Sequence, residues 1–121
     1  MGNTDNHIKN ISLLYSKNLK GIQLAPAYDI ASTAVYENST RDMAMAIGNK
    51  IRLDDIGRNE FAEAAGKVGL NPKMAIKRLG QISEGFVPAM RKCALQLTEE
   101  GFYKANELCE RILSNGGIKR I

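Results

Sequence analysis

A chain of 121 residues with 44% hydrophobic and 25% charged side chains has the make-up of one globular domain, not of a disordered tail. The formal charge of +4 is spread along the chain without a block of like charges, so direct nucleic-acid binding is permitted but not indicated. No apolar run approaches the roughly eighteen residues of a membrane span, and the first residues lack the basic start and apolar stretch of a secretory signal. A cytoplasmic location is expected, with no membrane partner.

The chain opens on a loop, Asn3-Thr4-Asp5-Asn6-His7-Ile8-Lys9-Asn10, that concentrates a carboxylate, an imidazole, an ammonium and an amide. Two short apolar runs follow, Ile11 to Tyr15 and Ile22 to Ala25, separated by Ser16-Lys17-Asn18-Leu19-Lys20-Gly21, which reads as a β-hairpin. Pro26 stops the second strand because it has no donor for a ladder, and Tyr28-Asp29-Ile30 then lies in a loop. Met43 to Ile47 fits either a third short strand or a helical turn, ended by Gly48-Asn49.

The texture changes near Leu53 to Arg58, dividing a catalytic-loop and hairpin segment, 1–57, from a helical subdomain, 58–121, packed on it within a single domain. Phe61, Ala62, Ala65 and Val68 line one face of a first helix closed by Gly69. Asn71 caps a second helix with Pro72 in its first turn, and Ile76, Leu79, Ile82, Phe86, Met90 and Leu97 carry its stripe. Gly85 and Pro88 are expected to bend or interrupt it. Thr98 is the expected cap of a third helix, with Glu99 and Glu100 at its positive end and Phe102, Ala105, Leu108, Cys109 and Ile112 on its buried face. Asn115-Gly116-Gly117 ends it, and the last four residues are expected to be loose. The fold class that results is mainly α with a small β-hairpin, α+β.

Cys93 and Cys109 both fall in helical patterns and are expected to be buried free thiols; with His7 the sole histidine, no zinc site is clustered. Met43, Met45, Met74 and Met90 read as adaptable core. Lys73, Lys77 and Arg78, with Arg91 and Lys92 beyond them, read as a solvated helix face.

The opening loop has a spacing that phosphoryl transfer uses. Protein kinases place an aspartate and an asparagine with four residues between them, so that the carboxylate faces the substrate hydroxyl while the amide oxygen reaches magnesium. Asp5 and Asn10 have that spacing, and Asp29, just after the hairpin, stands where kinases hold a second metal-binding carboxylate. Asp29-Ile30-Ala31 takes the place of Asp-Phe-Gly. Each residue also has a plain alternative, because Asp and Asn are common in turns, a loop histidine often only orients its neighbours, and a lysine is often only solvated. Lys9, a point charge between acidic ligands, is a candidate for contact with the transferring phosphate.

Gly2-Asn3-Thr4-Asp5-Asn6-His7-Ile8-Lys9-Asn10 followed by Leu24-Ala25-Pro26-Ala27-Tyr28-Asp29-Ile30 resembles the paired signature of HipA-like serine/threonine kinases, toxins of toxin-antitoxin systems. The resemblance implies the carboxy-terminal lobe of a protein-kinase-like fold, with Asp5 as catalytic base and Asn10 and Asp29 as magnesium ligands; His7, in an orienting role, and Lys9 are counted with Asp5 as catalytic candidates, and Lys9, Asn10 and Asp29 as candidate contacts for ATP. It further implies a protein serine or threonine as substrate and a DNA-binding antitoxin as partner. The motifs end at Ile30, while the general likeness runs to about the end of the chain. No glycine-rich loop or strand lysine for a nucleotide precedes Asp5, so this chain alone is expected to be inactive and to need a partner carrying the nucleotide-binding half. The competing expectations are a non-catalytic module that binds a regulator or itself, and a nucleic-acid-binding helical module.

Overall fold

Among the described residues, four short strands and three helices follow one another in chain order. The computed structural model describes residues 1–117; the four terminal residues expected to be loose lie outside the described residues. A 3-10 turn, Ile8–Asn10, leads into β1 (Leu13–Tyr15), which pairs antiparallel with β2 (Ile22–Leu24) in the register Leu13 opposite Leu24 and Tyr15 opposite Ile22. The connecting turn is held by side chains. Asn18 Oδ1 accepts from Ser16 Oγ at 2.6 Å and from the Lys20 amide at 3.1 Å, while Leu19 takes the left-handed conformation at φ 57°.

A second hairpin joins β3 (Asp42–Ile47) to β4 (Lys50–Arg52), with Asp42 opposite Arg52, Ile47 opposite Lys50 and an irregular register between them. The segment Met43 to Ile47 is therefore a strand, and β4 is an element the sequence reading did not contain. Gly48 makes the turn at φ +64°, and a Cβ there would come within 3.0 Å of the Glu60 carbonyl, so the turn also needs a residue without a side chain.

A 3-10 turn, Leu53–Asp55, leads to α1 (Arg58–Lys67), α2 (Pro72–Glu99) and α3 (Ala105–Asn115). Glu60 Oε2 accepts from the Gly57 amide at 2.8 Å at the start of α1, half of a capping box whose other half glycine cannot supply. That hydrogen bond also holds the Glu60 carboxyl below its ordinary pKa. Asn71 caps α2 as expected, its Oδ1 accepting from the Lys73 and Met74 amides at 2.9 and 3.2 Å with Pro72 in the first turn.

Three expectations about the helices are corrected. First, α2 is not interrupted at Gly85 or Pro88; it runs for 28 residues because Pro88 faces solvent while Phe86, Val87 and Met90 around it pack on the core. Second, Thr98 is not a cap. Its hydroxyl donates to the Ala94 carbonyl at 2.8 Å inside α2, and α3 begins only at Ala105 after a turn closed by Gly101 at φ +101°. Third, several stripe residues face solvent: Val68, Met74, Ile82, Leu97, Phe102 and Leu108 are exposed, as is Cys93, whereas Cys109 is buried as expected.

Two clusters hold the molecule together. Ala94, Cys109 and Leu113 are buried between α2 and α3 with Phe86, Val87, Met90 and Ala105 packed against them. At the other end of α3, Gly2, Thr4, Ala34, Val35 and Gly116 are buried, and Arg111 on α3 donates to the Val35 carbonyl at 2.7 Å. This second cluster fixes the opening loop against the helical body. The fold is thus α+β and mainly helical, with two hairpins where one was expected.

Candidate functional site

Gly2 starts the site. It sits at φ +72°, and a Cβ there would lie 2.7 Å from Ala34 Cβ and 2.9 Å from Gly116 Cα, so close approach and left-handed backbone both require glycine. Its carbonyl accepts from the Thr33 and Ala34 amides, each at 3.0 Å, and from Thr33 Oγ1 at 3.1 Å. Thr33 Oγ1 also lies 2.6 Å from Thr4 Oγ1 and accepts from the Thr4 amide at 2.8 Å. The Thr4 carbonyl then accepts from the Ala44 amide of β3 at 2.8 Å. Thr4 is one of the two buried polar side chains among the described residues, so these bonds replace the water it has lost.

This latch sets the 3–10 loop against the loop that follows β2. Asn3 Oδ1 accepts from the Asp5 amide at 3.2 Å, and Asn3 Nδ2 donates to the Asp29 carbonyl at 3.0 Å, so one amide side chain ties the backbone of Asp5 to that of Asp29. Tyr28 adds a brace: its hydroxyl donates to the Lys9 carbonyl at 2.6 Å and lies 2.8 Å from Ser12 Oγ. Asp29 itself is held at φ 53°, a left-handed conformation that Asp tolerates better than most residues and that is uncommon enough to mark a constrained position.

Asn10 and Asp29 meet directly, Asn10 Nδ2 donating to Asp29 Oδ2 at 2.5 Å. Because the carboxylate can only accept, it fixes the orientation of the amide and turns Asn10 Oδ1 the other way. That oxygen is buried and has no hydrogen-bond partner among the described residues. A buried carbonyl oxygen without a donor calls for an explanation, and a hard cation is one that suits it. Magnesium takes few protein ligands and fills its remaining positions with water and phosphate oxygens, so one amide oxygen beside one carboxylate fits it, while no group of three or more His, Cys, Asp or Glu among the described residues builds a protein-only cage.

The other expected residues are placed differently. Asp5 is exposed and lines a cleft of about 390 Å³ with Thr4, Thr33, Ser39, Thr40, Asp42 and Ala44. Lys9 is exposed at the end of the 3-10 turn, and its carbonyl, not its ammonium, makes the contact to Tyr28. The His7 carbonyl accepts from the Asn10 amide at 2.9 Å and so shapes the turn through its backbone, while its Nδ1 is buried without a partner. Asn3, Thr4 and Thr33 were not singled out in the sequence; only the spacing of Asn3 before Asp5, an Asx-turn pattern, signals one of them.

Behind the site, Arg41 grips Asp54 with two hydrogen bonds of 2.7 and 2.6 Å and also reaches the Asn115 carbonyl at 3.4 Å. Arg41, the residue before β3, is thus tied to the 3-10 turn and to the end of α3, and the pairing with Asp54 raises the guanidinium pKa further. Lys73, Lys77 and Arg78 are exposed.

Comparison with known proteins places these features in a family. Residues 1–90 match the model of the HipA-like C-terminal domain. The chain is 30% identical over 122 aligned residues to the serine/threonine-protein kinase toxin HipA of Shewanella oneidensis, a match covering 93% of this chain and 28% of that protein. It is 29% identical over 92 residues to Y4mE of Sinorhizobium fredii, a protein named as a kinase, covering 76% of this chain and 21% of the relative. Among solved structures, the complex of the Shewanella oneidensis toxin-antitoxin proteins HipA and HipB with operator DNA contains a chain that matches with a TM-score of 0.78 at 25% identity, covering 98% of this chain and 28% of that one. The chain therefore spans between about a fifth and somewhat over a quarter of the length of these relatives. No helix among the described residues is long and apolar enough to cross a membrane. The chain belongs to the HipA-like C-terminal domain family.

Proposed function

We propose that this chain is the catalytic-loop portion of a HipA-like serine/threonine protein kinase, which acts only when a nucleotide-binding half is supplied. The observation that carries this reading is the Asn10–Asp29 contact with its buried, unpartnered amide oxygen. Asn10 Oδ1 and the Asp29 carboxylate would hold Mg2+, which together with ATP would neutralise charge on the phosphates. Asp5, at the mouth of the hydroxyl-lined cleft, accepts the proton of a protein serine or threonine hydroxyl as that oxygen attacks phosphorus. Lys9 extends its ammonium toward the transferred phosphate, and His7 keeps the loop in shape.

The nucleotide-binding half docks in this proposal on the β1–β2 hairpin, where Leu13, Tyr15, Ile22 and Leu24 are all more than half exposed. A two-stranded ribbon with these four apolar side chains uncovered on one face is marginal by itself and is stabilised by a partner surface. The substrate is a protein, the regulator an antitoxin that binds DNA, and the location cytoplasmic; each follows from the family reading.

The test is complementation. Purified chain is mixed with the nucleotide-binding half of a HipA-like relative, and transfer from radiolabelled ATP to protein is followed alongside complex formation. The chain alone should transfer no phosphate, the mixture should, and Asp5→Asn should lower transfer by at least about a hundredfold without weakening the complex. Transfer by the isolated chain that Asp5→Asn abolishes would show that the nucleotide half is dispensable, and undiminished transfer by the substituted mixture would remove Asp5 from the chemistry.

A further inference from the structure

The α2–α3 pair holds a groove of about 760 Å³, remote in sequence from the loop site, and both cysteines of the chain line it together with Met90, Leu97, Phe102 and Leu108. The register of the two antiparallel helices follows from their contacts. Arg91 on α2 pairs with Glu110 on α3 at 3.0 Å, and Ala94 is buried against Cys109 and Leu113. Cys93 lies between Arg91 and Ala94 in sequence and therefore at the same level of the helix pair as Cys109. Alanines at 94 and 105 leave little bulk between the helices at this level, which lets backbones approach.

We propose that Cys93 and Cys109 form a reversible disulfide across α2 and α3 when the protein meets a peroxide. The two thiols differ in the way such a reaction needs. Cys93 is exposed and takes the first oxidation; Cys109 is buried and attacks second. Burial pushes the Cys109 thiol up, and Cys93 is near enough for its charge to add to that shift. The Cys93 thiolate attacks one peroxide oxygen, giving a sulfenic acid and hydroxide. The Cys109 sulfur then attacks the sulfenyl sulfur, the new S–S bond forms, and the sulfenic oxygen leaves as water with the Cys109 proton completing the balance. Two thiols lose two electrons, and one peroxide becomes two waters. The product links the two helices across the turn at Gly101 and closes the groove on one side.

The test uses the full chain treated with a small excess of hydrogen peroxide, followed by intact mass, peptide mapping and thermal unfolding. The expected result is a loss of about 2 Da, a linked peptide pair containing Cys93 and Cys109, and an unfolding midpoint raised by roughly 5 °C, all reversed by dithiothreitol and absent in Cys93→Ser. Cys93 is exposed, so its serine variant keeps the core intact. Addition of oxygen at Cys93 without loss of the Cys109 thiol, or a Cys93–Cys93 link between two chains, would overturn the proposal. Kinase assays have no bearing on it.

Discussion

Asn10 and Asp29, nineteen residues apart, share a hydrogen bond that joins the turn before β1 to the loop after β2. The amide serves two masters: its nitrogen satisfies the carboxylate, and its oxygen is left without a donor among the described residues. Replacing Asn10 with Leu keeps the branch at Cγ and removes both functions. Stability should fall by about 1–2 kcal/mol in chemical denaturation, the cost of a carboxylate deprived of a donor at a partly accessible site. Asn10→Asp should cost more than Asn10→Leu at neutral pH, since two carboxylates then face each other. Equal losses would mean that the two side chains do not interact.

The glycine at position 2 offers a purely steric test. Gly2→Ala adds a methyl group in left-handed backbone, against Ala34 and Gly116, where neighbouring backbone cannot yield cheaply. A loss of roughly 2–4 kcal/mol is expected, with faster hydrogen exchange at the Thr33 and Ala34 amides that bond to the Gly2 carbonyl. A neutral substitution would mean that the latch is looser than its hydrogen bonds imply.

The acid dependence of α1 follows from Glu60. The Gly57 amide holds its carboxyl below the ordinary value of 4.5. The carboxylate therefore contributes stability that is fully present above 4.5 and is lost as the pH falls through its lowered folded-state value. Wild type and Glu60→Gln should differ in stability above pH 4.5 and converge below it, as read from urea unfolding across an acid series. A difference that grows toward low pH would have the wrong sign.

How far the sequence could be read depended on whether local chemistry or tertiary contact decided each feature. Asn71-Pro72 fixes a helix start by itself, and it was legible. The β1–β2 hairpin was legible for the same reason, although its left-handed residue is Leu19 and not the neighbouring Asn18. Lys50 to Arg52 gave no strand signal because three residues with charged ends carry no period; pairing with β3 makes them a strand. Thr98 looked like a cap, yet a hydroxyl can bond back to a carbonyl four residues earlier and stay within a helix, as it does with Ala94. Pro88 looked like a break, but an exposed proline costs one hydrogen bond and a local clash, which packing on either side offsets.

Within the candidate site, the Asp5, Asn10 and Asp29 pattern was visible as spacing, and the meeting of Asn10 with Asp29 is a contact that spacing alone does not give. The Thr4–Thr33 latch was invisible, because threonines in loops have no distinctive pattern until the fold brings them 2.6 Å apart.

Divalent-ion affinity at this corner is the most direct measure of the account. In the complex of this chain with a complementary nucleotide-binding half, Mn2+ bound with a non-hydrolysable ATP analogue can be counted by electron paramagnetic resonance. Asn10→Ala and Asp29→Ala should each weaken Mn2+ by at least about tenfold while leaving complex formation intact. Unchanged Mn2+ affinity in both variants would contradict the assignment of the two side chains as the metal-holding pair.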